Sequence, residues 1–448
     1  MKLRNALESV ASCLQSGSLD IFQASIEPTW ILDALAATGT ATLRRRRLPA
    51  EQVVWLVLGM ALLRDRSIVD VAERLNIALP GKRGSEVSGS ALSQARARLG
   101  EEPMKWLFGT CALHWAHHSA AAHRWRKLAV YGIDGTTLRV PDSLENRETF
   151  GAPGGGPRGT GAYPQVRLLT LMVLRSHLIA ACSFGPYTVG EATHARELWS
   201  QLPDDSLCIL DRNFFSPGVL LPLIRDGKSR HWLLRAKKNQ SWRVLEQLGP
   251  DDYRVEMTLS RQAARKDPSL PKCFEVRAVR YQRKGFQPQW LLTSLLDAKQ
   301  YPAKEIVELY HERWELELGY DEIKTEMLDR EEAIRSQSPE RIRQEIWGIM
   351  LAYNLVRLEM ERIASEAGVP PIRISFIMSL NLICDEWLFS AAAASPGAIP
   401  RHLRDLRAKV KRFILPPRRS ERVYPRAVKI KFGSYPRNRK PPTRRGPK

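Results

Sequence analysis

The feature that most constrains this 448-residue chain is a change of hydrophobic pattern at residue 127. Lys127-Leu-Ala-Val-Tyr-Gly-Ile133 is a β-rich run that ends at Asp134-Gly135-Thr136. Residues 166–174 and 178–187 read as two further strands. A helix is expected at 191–202, a short strand at 207–210 ending in Asp211, a helix near 219–225 and a strand at 231–235. The order is β-β-β-α-β-α-β, with an aspartate closing two of the strands.

That order is the order of a ribonuclease-H-like core, so the expected class is α/β. Strand-like segments at 253–259, 274–281 and 290–295 predict a β-rich insertion at about 240–297. The expected organisation is a helical N-terminal domain over 1–120, a catalytic core over 121–335, C-terminal helices over 336–400 and a basic, proline-containing tail over 401–448. The tail holds 18 Lys and Arg against Asp405 and Glu421, and is expected to be extended until it meets a polyanion. Long helices are expected at 303–327, 341–367 and 372–389. The Gly- and Pro-rich stretch 151–161 reads as a loop and not as a phosphate cradle, because no Lys-Ser/Thr and helix follow it.

Charge limits the partners. Lys and Arg number 69 against 48 Asp and Glu, a formal net charge of +21. Such a surface attracts nucleic acid, although a ribosome-associated or membrane-surface protein has the same bulk property. Six cysteines without a C-x-x-C pair suggest neither a disulfide framework nor a zinc ribbon. The most apolar stretch, 53–63, is shorter than the roughly 20 residues a membrane helix needs, which predicts a soluble intracellular protein.

In the N-terminal region, Leu48-Pro49-Ala50 opens one helix, 68–75 forms a second, and Ser88-Gly-Ser90 leads into a third over 91–99. Gln94, Arg96 and Arg98 are expected on its polar side, as in a helix-turn-helix, with Arg96 and Arg98 as DNA contacts. The connection of roughly a dozen residues is longer than a compact helix-turn-helix uses, and a plain helical bundle with a basic face is the alternative. The run Arg44 to Arg47 could touch phosphates, but a charge run is usually only a solvated face.

The candidate chemistry lies in three acids. Asp134 and Asp211 close strands of one sheet, so their carboxylates can converge on one site. In the helix 309–324, Tyr310, Arg313, Glu317 and Lys324 are spaced by 3, 4 and 7 residues and project into a sector of roughly 60°. Carboxylates are the ligands Mg²⁺ prefers, and two such ions about 3.5 to 4 Å apart can activate a nucleophile and stabilise a leaving oxygen in phosphodiester chemistry. Arg313 and Lys324 would meet phosphates on either side of Glu317. Singly, each aspartate also suits a turn and Glu317 a solvated helix face.

The chain resembles DDE transposases of the insertion element 4 family. The family's helix signature Y-x2-R-x3-E-x6-K is matched at Tyr310, Arg313, Glu317 and Lys324. Asp134-Gly-Thr-Thr resembles the first aspartate block and Leu210-Asp211-Arg212-Asn213-Phe214-Phe215-Ser216 the second. The stretch from Arg47-Leu-Pro-Ala-Glu51 to Ser90-Ala-Leu-Ser-Gln-Ala-Arg96 is similar to the family's N-terminal domain. The resemblance implies Asp134, Asp211 and Glu317 as ligands of two Mg²⁺ ions, with Mn²⁺ able to substitute, and Tyr310, Arg313, Lys324 and Arg212 as DNA contacts. It implies cut-and-paste strand cleavage and transfer at terminal inverted repeats, in some relatives through a DNA hairpin. It also implies double-stranded DNA as partner, a homodimer on paired ends, no membrane, and a bacterial cytoplasmic, nucleoid-associated setting.

Trp290 matches in rough position an aromatic that stacks on a flipped base in some relatives, against the plainer reading of a core tryptophan. His114, His117, His118 and His123 read as helical packing rather than as a metal site. The competing functions are a non-catalytic DNA-binding regulator and a metal-dependent nuclease that cuts without joining.

Overall fold

The central strands of this protein are apolar on both faces. In the computed structural model all of β4 (Ser206–Leu210) is buried, as is the first half of β1 (Ala129–Arg139). Strands without alternation belong inside a sheet covered on both sides. They do so here, in one mixed sheet of nine strands ordered β3-β2-β1-β4-β5-β9-β8-β7-β6. The structure describes residues 25–41, 48–75, 77, 87–154, 162–283, 287–329, 333–393 and 399–417.

The other strands are β2 (Gln165–Val173), β3 (Ile179–Pro186), β5 (Arg230–Arg235), β6 (Arg243–Gly249), β7 (Asp252–Thr258), β8 (Cys273–Tyr281) and β9 (Gln289–Thr293). β1, β2 and β3 form an antiparallel meander, and β4 and β5 add in parallel beside β1. The strands of the 240–297 segment join the same sheet. β9 pairs antiparallel with β5, Leu234 opposite Leu292, and carries the same sheet outward through β8, β7 and β6. Strand edges left open at β5 are thereby satisfied by chain from 60 residues downstream, a pairing no local pattern reveals.

The N-terminal helices are α1 (Pro28–Ala37), α2 (Ala50–Leu62), α3 (Ile68–Arg74), α4 (Gly89–Leu99) and α5 (Glu102–Ala122). Ser67 caps α3 by accepting from the Asp70 amide at 3.1 Å, and Ser88 caps α4 by accepting from Ala91 at 3.3 Å. Between and beyond the strands lie α6 (Leu144–Phe150), α7 (Glu191–Leu198), α8 (Pro217–Arg225), α9 (Arg261–Lys266), α10 (Ala303–Tyr310), α11 (Trp314–Asp321), α12 (Pro339–Ala367), α13 (Phe376–Ala393) and α14 (Ile399–Val410). α5 backs β1, β2 and β3, and α12 packs against both α2 and α5. Of the α5 histidines, His114 stacks on Trp30, His117 shares a 2.8 Å hydrogen bond with the Tyr131 hydroxyl, and His118 is exposed. The described residues up to Ile414 form one compact unit.

Three expectations change. Arg96 does not reach a polar surface. It is 5% exposed, donating to Gln344 Oε1 and Ser336 Oγ at 2.9 Å each, and so it fastens α4 to α12 instead of meeting DNA. Arg98, two residues on, is exposed. The tail is not extended from its start, because 401–410 belongs to α14. Leu406 and Val410 of that helix are buried, while Arg407 pairs with Glu359 and Glu366. The helix expected over 303–327 is broken by a 3₁₀ turn at His311–Arg313 and ends in a π turn, Glu322–Met327. The chain between α3 and α4, the run Arg44 to Arg47 and most of the tail lie outside the described residues.

Replacing Arg96 leaves Gln344 and Ser336 buried without their partner, so Arg96→Ala should lower unfolding free energy by on the order of 3 kcal/mol. Urea denaturation of the variant beside Arg98→Ala, expected within about 0.5 kcal/mol of wild type, checks this.

Candidate active site

The register between β1 and β4 brings two acids together. Their last pair is Ile133 with Leu210, and the next residues on the two parallel strands are Asp134 and Asp211. Neighbouring strands lie about 4.8 Å apart, so these aspartates leave adjacent strands at the same level. β4 stops there in a tight 3₁₀ turn, Arg212–Phe214, anchored by buried Phe214. Arg212 is exposed beside the acid.

The glutamate arrives on α11. Its buried face carries Leu316, Gly319 and Tyr320. Leu316 lies over Gly132, where a Cβ would come within 2.9 Å of its Cδ1, so the glycine is what lets the helix approach β1. The Tyr320 hydroxyl donates to the main-chain carbonyl of Asp134 and shares a 2.9 Å hydrogen bond with Thr170. With that face fixed, Glu317 points outward, its side chain 43% exposed, and accepts from Arg313 Nη2 at 2.8 Å.

Burial pushes the Asp134 carboxyl up to about 6, with Glu191 and Asp211 adding like charge against the amide of Gly135 and the cation of Arg313. The carboxyl accepts the Gly135 amide at 2.8 Å. Asp134, Asp211, Arg313 and Glu317 thus form one electrostatic neighbourhood. Among the described residues no three His, Cys, Asp or Glu side chains stand together as a metal-holding group, and Glu317 is paired with Arg313.

A cavity of about 260 Å³ opens from Asp211, lined by Arg235, Tyr281, Arg283, Tyr310, Arg313 and Trp314. Of the expected contacts, Tyr310 and Arg313 are therefore at the site. Lys324 sits in the π turn that follows α11, half-buried. Trp290 is not in the cavity wall. It faces away from Gln289, which does line the cavity, and packs edge-on against Trp242 and beside Tyr253 at ring distances of 5.3 and 5.9 Å. Arg235, Arg283, Tyr281 and Trp314 were not foreseen. Arg235 ends β5 as Asp211 follows β4, so the strand-end logic used for the acids would have found it.

Behind α11 lies a buried ionic cluster. Glu322 pairs with Arg357 and accepts from the Tyr353 hydroxyl at 2.8 Å. Arg357 donates to His177 Nδ1 at 2.6 Å, leaving Nε2 to donate to Glu315 at 2.9 Å. Burial alone would raise the Glu322 carboxyl, but Arg357 and His177 hold it at about 2. The cluster ties both ends of the glutamate helix to α12 and to the turn between β2 and β3.

Two strand-end aspartates beside a helix-borne glutamate, on a strongly basic chain, define the DDE class of enzymes that cleave and transfer DNA. Residues 125–355 match the family described as Transposase DDE domain, and 16–109 match Insertion element 4 transposase N-terminal. The chain is 39% identical over 418 residues to Transposase InsG for insertion sequence element IS4 of Escherichia coli (strain K12), covering 92% of each protein. It is 35% identical over 230 residues to Putative transposase InsZ of the same organism, covering 51% of this chain and 75% of that one. A piggyBac transposase synaptic complex with hairpin DNA aligns at a TM-score of 0.41 and 14% identity over 90% of this chain and 86% of that one, too distant to argue from. The chain belongs to the insertion element 4 family of DDE transposases. No helix among the described residues is long and apolar enough to cross a membrane.

Because the folded state raises the Asp134 carboxyl from 3.8 to about 6, it binds more protons than the unfolded state between those values, and stability falls as pH rises through them. In chelator, Asp134→Asn should therefore melt higher than wild type at pH 7.5, and the difference should shrink toward pH 4. Thermal melts across that range check it.

Proposed function

We propose that this transposase uses Asp134, Asp211 and Glu317 to hold two divalent ions, Mg²⁺ or Mn²⁺, for cut-and-paste cleavage and strand transfer at terminal inverted repeats. The observation that carries the reading is the β1–β4 register, which sets Asp134 and Asp211 side by side under the helix of Glu317. The strand order β3-β2-β1-β4-β5, with three antiparallel strands and two parallel additions, supports reading this part as a ribonuclease-H-like core.

The residues suit such ions. The donors are all carboxylate oxygens, and Asp134 is a buried acid crowded by like charge, which a cation would relieve. Glu317 is exposed enough to turn from Arg313 toward the aspartates. Bound there, the ions would activate water or a 3′ hydroxyl and neutralise the scissile phosphate. Once released, Arg313 is left to meet a phosphate beside the acids. Arg212 and Lys324 extend that positive edge, and Tyr310 walls the cavity next to Asp211. Arg98 presents a cation on the outer face of α4 for DNA. The protein would act as a homodimer on paired element ends, on the bacterial nucleoid in the cytoplasm. Should the route pass through a hairpin, Trp290 could stack on a base only from the sheet face opposite the cavity, so Trp290→Ala is expected to leave hairpin formation intact.

Asp134→Ala, Asp211→Ala and Glu317→Ala should each lower nicking and joining of end-sequence DNA in Mg²⁺ by roughly three orders of magnitude or more, while gel-shift affinity for that DNA stays within about threefold. Nicking without any joined product in wild type would favour a nuclease, and full activity in any of the three variants would remove that acid from the site.

A further inference from the structure

A fourth carboxylate lies against the same stretch of β1. Glu191 is the first residue of α7, a helix that packs across β1, β2 and β3. A Cβ built on Gly135 would stand 2.7 Å from Glu191 Oε1 and 2.8 Å from its Cδ. The Glu191 carboxylate therefore rests directly on the backbone next to Asp134, and only a glycine at 135 leaves room for it. Beyond the Ile133–Leu210 pair β4 has ended, and β1 runs on beside β2 to Arg139, where Ala333 bridges it. The resulting notch, where Asp134 and Asp211 emerge, is open to side chains from both faces of the sheet.

Glu191 is held by Arg167, whose Nη1 donates to Oε1 at 3.0 Å while its Nε and Nη2 donate to the Tyr187 carbonyl. Oε2 has no hydrogen-bond partner among the described residues, so one oxygen remains for a ligand. A clasp serving stability alone gains nothing by setting a second carboxylate beside a buried one, since like charges in a poorly solvated place cost free energy until a cation joins them.

We propose that Glu191 is a further carboxylate of the metal-binding set, reaching the ions from the α7 side of β1. This rests on the reading of Asp134, Asp211 and Glu317 as metal ligands. Glu191 adds negative charge and an oxygen donor, directly or through a metal-bound water, and so raises affinity for the ions.

The test is Mn²⁺ binding to the full-length chain, followed by loss of the free-ion electron paramagnetic resonance signal and by the Mn²⁺-induced rise in melting temperature. Wild type is compared with Glu191→Gln, Arg167→Gln and Asp134→Asn, each first shown to melt cooperatively without metal. Glu191→Gln should weaken Mn²⁺ binding by roughly 10- to 100-fold. Arg167→Gln, which breaks the clasp but keeps the carboxylate, should weaken it clearly less. Wild-type Mn²⁺ affinity in Glu191→Gln, with affinity lost in Asp134→Asn, overturns the role of Glu191 and leaves the three-acid reading standing. Equal losses in Glu191→Gln and Arg167→Gln also overturn it, since they would mark the pair as structural. Unchanged affinity in Asp134→Asn would bring down the three-acid reading and this inference with it.

Discussion

The docking of α11 on β1 is the constraint on which the active site depends. Its apolar part is Leu316 over Gly132, and its polar part is the Tyr320 hydroxyl on the Asp134 carbonyl. A buried hydroxyl must find an acceptor, and here the acceptor belongs to Asp134, the residue proposed as a metal ligand. The same contact that buries the helix therefore sets the height of Glu317 above the aspartates. The ionic cluster of Glu315, His177, Glu322 and Arg357 holds the helix from behind. Each charge in it has a partner, which is the condition for charges to be tolerated in a core.

The chain carries +21 overall, while the acid Asp211 follows directly on the end of β4. A polyanion is drawn to the surface, while the site itself is short of positive charge apart from Arg313 and the cavity residues Arg235 and Arg283. Arg313 occupies Glu317 in the structure described here, at 2.8 Å. That pairing neutralises Glu317, and under the proposed reading it is exchanged for a metal ion on the glutamate and a phosphate on Arg313.

The N-terminal helices are joined to the core by buried polar contacts rather than by a loose linker. Glu345 of α12 accepts from Arg64, from Ser336 Oγ and from the amides of Arg335 and Ser336, and Arg335 reaches the carbonyls of Met60, Arg64 and Arg66. Arg96 adds its bonds to Gln344 and Ser336. Segments distant in sequence thus share one buried network immediately downstream of the glutamate helix. A DNA contact made by the N-terminal helices would be held in fixed relation to the acids, without a hinge between them.

Much of this was legible beforehand where the signal is local. Apolar runs ending in aspartate located β1 and β4, the Ser88-Gly-Ser90 start located α4, and the spacing of Tyr310, Arg313, Glu317 and Lys324 marked one helical segment, because strand, cap and helix periodicities are properties of neighbouring residues. What the sequence could not settle was decided by partners far along the chain. Arg96 looked like a surface cation until Gln344 and Ser336 enclosed it, and the strand on which the insertion joins the sheet was fixed only by Leu292 pairing with Leu234. The predicted helix face lost its regular phase at the 3₁₀ and π turns, and Glu191 had no motif to announce it beside Gly135. The sequence by itself determined which elements form and which side chains are able to do the chemistry. Tertiary structure alone decided which of them meet, since burial and pairing are set by residues that become neighbours only when the chain closes on itself.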